Sequence, residues 1–214
     1  MNAQPLIEDL QGDPEIAMQA ALNLWNSAAA PVCAAQPDLC SAIRASVAHG
    51  NRSAAALLLL GYDTSTAATA ALEQAATTDD TEMTRLQPWS EQVPVRLPAD
   101  VALSRLGDPA ARARIFGTIE AGDLASLAFL VAVLRDIDSP EVLQALSRTL
   151  NDDREIPVDP TGAPPAVRLL QDVATEAFIT RLGLSVSFQQ DANGHYSAAQ
   201  RQEVLAQIKG SIPQ

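Results

Sequence analysis

Aromatic side chains make up only 4% of the 214 residues, so the core cannot be built around stacked rings. The apolar content, 47% of the chain, has to come from Ala, Leu, Val and Ile, whose compact side chains favour close helix packing and an all-α fold. Positive charge is scarce as well: 14 Lys and Arg stand against 26 Asp and Glu, a formal net charge of -12. Such a surface repels a phosphate backbone instead of releasing its counterions, which excludes nucleic acid and leaves a basic protein as the complementary partner. No apolar run approaches the roughly 20 residues of a membrane span, so no membrane insertion is expected. The longest is Ala54 to Leu60.

Catalytic signatures are missing too. The chain has no GxSxG, GxxxxGK[ST], HExxH or dinucleotide fingerprint. Its two histidines, His49 and His195, each sit beside a glycine at an expected turn, where bonding to helix ends or loop backbone is the ordinary role. The run DANGHYSAAQRQE resembles a calcium loop but has its glycine, Gly194, too early and Gln202 where a bidentate Glu is required. No catalytic residue, cofactor or metal ligand is assigned. Carboxylates paired across helices would make an enzyme, and an assembly subunit is the other alternative to a binding protein.

Cysteine is limited to Cys33 and Cys40 in PVCAAQPDLC. Two cysteines without a nearby His cannot close a tetrahedral metal site, which leaves either a disulfide across the Pro-containing turn or two buried thiols. A disulfide would imply an extracytoplasmic, for example periplasmic, compartment, consistent with a start at Met1-Asn2-Ala3-Gln4-Pro5 that lacks a charged signal segment.

What is present is helical periodicity broken by regular turns. Asp13-Pro14-Glu15 combines a cap, a first-turn proline and a first-turn carboxylate, and predicts a helix with Ile16, Ala17, Ala20, Ala21, Leu24 and Trp25 inward. Further helices follow from Pro37, over 53–60 and 65–76, then over 99–106, 109–121, 123–137, 140–150 and about 166–182, with a final amphipathic one carrying Val204, Leu205 and Ile208. Residues 77–98 and 151–165 are polar, Pro-containing excursions. Leu184, Val186 and Phe188 alternate with polar residues, and Asp191-Ala192-Asn193-Gly194 predicts a small β-hairpin back through His195 and Tyr196.

The turns themselves repeat: Leu60-Gly61-Tyr62-Asp63, Leu106-Gly107-Asp108-Pro109, Ile137-Asp138-Ser139-Pro140 and Leu182-Gly183. Gly suits a left-handed helix end, Asp caps the next helix and Pro fits its first turn. On LSRLGDPAARARI, LRDIDSPEVLQALSRTLNDD and VRLLQDVATEAFITRLGL the chain resembles the bacterial HEAT-repeat proteins, which implies an α-solenoid of antiparallel helical pairs. The expected organisation is one helical-repeat domain over 1–214, with a subdivision into 1–78 and 99–214, the hairpin and last helix serving as a cap. A solenoid implies a non-enzymatic scaffold, adaptor or immunity protein that binds another protein over an extended surface. Interface-favoured residue types then single out Tyr62, Trp89, Arg105, Arg112 and Tyr196 as binding anchors. Oligomeric state is not legible.

Overall fold

The computed structural model describes residues 4–27, 36–158 and 167–211. Eleven α-helices and two short antiparallel strand pairs occur among them, so the fold is all-α. No helix among the described residues is long and apolar enough to cross a membrane. The chain forms two compact units, Met1–Pro88 with Gln92–Ile115, and Trp89–Glu91 with Phe116–Gln214. The division after Ile115 falls inside a helix, away from the polar excursion that suggested a subdivision at 78 and 99.

The first unit contains α1 (Gln4–Leu10), α2 (Pro14–Asn26), α3 (Pro37–Ala48), α4 (Ala54–Leu60), α5 (Thr66–Ala76), α6 (Arg96–Arg105) and the start of α7 (Pro109–Ala121). Asp13 caps α2 by accepting the Glu15 N–H at 3.0 Å, and Ser53 and Ser65 cap α4 and α5. All seven residues of α4 are buried, because it packs against α2, α3, α5 and α6. Within the 77–98 excursion, β1 (Met83–Thr84) pairs with β2 (Val93–Pro94). The Thr84 hydroxyl accepts the Ala54 N–H at 3.1 Å, so the excursion satisfies an orphan donor at the start of α4. The next helix begins at Arg96, earlier than its prolines suggested, with Pro98 in the first turn where a missing N–H costs little.

Glycine serves the repeated turns in two ways. Gly107 and Gly183 adopt the expected left-handed conformation, with φ of 94° and 59°. Gly61 has φ -63°, which any residue could adopt. It is required by contact instead: a Cβ there would lie 2.9 Å from the Cα of Ala102 on α6.

The second unit continues from α7 into α8 (Leu124–Ala132), α9 (Pro140–Leu146), β3 (Glu155–Pro157), β4 (Val167–Leu169), α10 (Leu170–Leu182) and α11 (Ala198–Ser211). The helices expected over 123–137 and 140–150 are shorter, each giving way to a 3₁₀ turn at Leu134–Asp136 and Ser147–Asn151. At the first of these, Arg181 donates to Leu134 O at 3.2 Å and Ile137 O at 3.0 Å, bonding carbonyls that follow the end of α8. Helix α10 starts at Leu170, since Val167–Leu169 pair with Glu155–Pro157 instead of continuing the helix backwards.

The hairpin expected over 184–196 does not form: no strand occurs there, and the strand pairs lie at the two Pro-containing excursions. The alternation is real, with Leu184, Val186 and Phe188 half-buried and Ser185, Ser187 and Gln189 exposed. What is missing is a ladder partner. Asp191 accepts the N–H groups of Asn193 and His195 at 2.8 and 2.9 Å, closing a local turn, and the Tyr196 N–H is taken by Asp172 on α10.

Candidate functional site

Helix α2 exposes large apolar side chains outside its core stripe. Ala17, Ala20, Ala21, Leu24 and Trp25 are buried in the core, whereas Ile16 and Met18 are 51% and 46% exposed. Ile16, read from the sequence as a core residue, is therefore a surface residue: it precedes the core stripe by one position and lies about 100° away around the helix. Glu15, Met18, Gln19 and Leu22 are spaced three, four and seven apart, a second stripe along the helix. Together with Ile16 they form one wall of a groove of about 860 Å³.

The opposite wall is Arg85–Pro88, with Ser53 and Ala55 also lining the groove and Asp13 at one end. Two hydrogen bonds shape that wall. Arg85 Nη1 donates to Pro88 O at 2.9 Å, folding the segment on itself, and Gln87 Nε2 donates to Asn26 Oδ1 at 3.2 Å, tying it to the end of α2. The buried Leu86 supplies its apolar contact.

Two exposed carboxylates, Asp13 and Glu15, line the groove. Arg85 is the single cation among the lining residues. Exposed aliphatic side chains beside an excess of carboxylate suit a ligand that is apolar on one side and cationic on the other.

The anchors expected from sequence lie elsewhere, and two of them meet. The Arg105 guanidinium stacks over the Tyr62 ring, 3.8 Å from its centroid, which occupies both with each other. Trp89 and Arg112 are half-buried, and Arg112 keeps a buried Nε without a hydrogen-bond partner. Of the three arginines near Asp108, Arg114 turns away to Asp100, with Nη2 2.7 Å from the carboxylate, while Asp108 caps α7 through the Ala110 N–H at 2.8 Å. Cys40 is buried in α3, and the proposed pairing with Cys33 lies outside the described residues.

Tyr196 is part of a polar cluster in the second unit. The fully buried Asp172 accepts His195 Nδ1 at 2.7 Å and the Tyr196 N–H at 2.9 Å, while Arg201 Nη1 donates to Tyr196 O. The Tyr196 ring meets Phe188 edge-on, with centroids 6.1 Å apart. Burial, then the Glu176 charge, pushes its phenol above the ordinary value. This arrangement fastens the 184–197 segment to α10. His49 also acts locally, with Nδ1 2.6 Å from Ala45 O at the end of α3. Among the described residues no group of three or more His, Cys, Asp or Glu is placed to hold a metal ion.

Comparison with protein-family models, curated proteins and solved structures gave no match.

Proposed function

We propose that the chain is a non-enzymatic, HEAT-like helical-repeat protein that binds another protein, and that the α2 groove is where it does so. The observation that carries this reading is the exposure of Ile16 and Met18 in a concave site, since large aliphatic side chains left open in a groove gain most by being covered. The repeat architecture is supported by the packing inside each unit. The principal helix contacts join neighbours one or two places apart in sequence: α1 with α2 and α3, α4 with α2, α3, α5 and α6, and α10 with α8 and α11. The net charge of -12 favours a basic partner. The spacing of Cys33 and Cys40 supports an extracytoplasmic site of action, and two free thiols in protein taken from its native compartment would remove that support.

A photo-crosslinking residue placed at Gln19, inside the groove, tests the reading in the native cell. The expected result is a protein adduct of reproducible mass that disappears when Ile16→Gln and Met18→Gln are combined. An adduct pattern unchanged by that pair, or shared with a crosslinker at the exposed Glu73 of α5, would overturn it.

A further inference from the structure

Resting on the groove reading, we propose that the occupant is a cationic amphipathic helix of a protein, with its apolar stripe against Ile16, Met18, Leu22 and Leu86 and its Lys or Arg residues over Asp13 and Glu15. The backbone chemistry of the walls selects a helix. One wall is α2, whose backbone amides are bonded within the helix and offer an extended segment no ladder. An extended segment laid along α2 would leave its own N–H and C=O groups on that side unsatisfied. A helix brings those bonds with it.

Length and charge agree with that choice. Glu15 to Leu22 spans about 10 Å of helix axis, or two turns, enough for occupant side chains spaced i, i+3 or i+4, and i+7. Asp13 and Glu15, at the start of α2, are exposed on the lining against a single lining cation, Arg85, which leaves the groove short of counter-charge. A positively charged helix supplies it. An anionic lipid surface fits less well, because the same carboxylates repel acidic headgroups.

The test is fluorescence anisotropy of the full chain with three labelled peptides of about 18 residues, long enough to form a helix on binding. One is a Leu/Lys amphipathic helix, one its Leu/Glu counterpart, and one a Leu/Lys sequence interrupted by prolines. The Leu/Lys helix should bind, weaken at least tenfold with Ile16→Gln plus Met18→Gln, and weaken about fivefold with Asp13→Asn plus Glu15→Gln, in which Asn retains the helix cap. Raising salt from about 50 to about 500 mM should weaken it further. Equal binding of the Leu/Glu or the proline-interrupted peptide, or indifference to the Ile16/Met18 pair, overturns the proposal. So does binding to phosphatidylcholine–phosphatidylglycerol vesicles that depends on Ile16 and Met18. If peptide selectivity fails while the cellular adduct at Gln19 still requires Ile16 and Met18, the groove remains a protein site and only the helical, cationic occupant is refuted.

Discussion

Arg114 donates from Nε and Nη2 to the same oxygen of Asp100, at 2.9 and 2.7 Å, and the Asp100 side chain is 3% exposed. Burial lifts the Asp100 carboxyl above its ordinary value even though Arg114 and Arg96 pull it down. The folded protein therefore holds this proton more tightly than the unfolded chain, and the contribution of Asp100 to stability falls as pH rises from about 3.8 through the raised value. Replacing Arg114 by Leu should cost about 2–3 kcal/mol at pH 7, at or below the low end for a broken buried pair because the guanidinium is partly solvated. That cost should shrink toward pH 4, where Asp100 takes up a proton. Asp100→Asn should match or exceed the parent at pH 7. Urea melts of the three chains across pH check all of this, and a cost in Arg114→Leu that grows on acidification would contradict it.

Gly61 and Gly107 end successive apolar stripes but should respond differently to alanine. At Gly61 the new methyl would meet the Ala102 backbone, so overpacking of about 1–3 kcal/mol should outweigh the helix-propensity gain. At Gly107 nothing lies within 4 Å of the new Cβ, and the expected cost, about 1–2 kcal/mol, comes from φ of 94° alone. Asn at each position separates the causes: it tolerates the left-handed backbone and should recover part of the loss at 107 and none at 61.

Asp172→Ala should release the segment that the sequence suggested as a hairpin. Its carboxylate holds both His195 and the Tyr196 N–H, so the substitution frees the end of the 184–197 segment. His195→Ala removes one donor and leaves a buried carboxylate less satisfied, costing about 1–3 kcal/mol. Limited proteolysis should show new cleavage between residues 184 and 197 in Asp172→Ala; protection equal to the parent would refute this fastening role.

The two faces of α2 should separate stability from binding. Leu24→Ala, on the core face, should cost about 2–5 kcal/mol. Ile16→Gln with Met18→Gln should stay within about 0.5 kcal/mol per site, because both side chains are already half in water. Thermal melts decide it, and a large loss in the double variant would mean that Ile16 and Met18 belong to the core after all.

The sequence was most legible where one local signal decided the outcome. The Asp13-Pro14-Glu15 start, the caps at Asp108 and Asp123, and the left-handed glycines at 107 and 183 appear where their chemistry places them. It was least legible where a distant residue intervenes. Arg181 bonds the carbonyls that follow α8 from 44 to 47 residues away, Asp172 captures the segment that would have been a strand, and Ala102 decides why residue 61 is glycine. The groove has a signal in the sequence, the Glu15, Met18, Gln19 and Leu22 spacing on a helix with a complete core stripe besides. The interface-favoured Tyr62 and Arg105 are instead occupied with each other.

Two carboxylates lining an open aliphatic groove also act on the protein when nothing is bound. Two copies meeting groove to groove would bring Asp13 and Glu15 of one toward the same pair of the other, with Arg85 the single lining cation on each side. Each copy would carry an excess of one carboxylate into that contact, a like-charge repulsion that screening by salt would weaken.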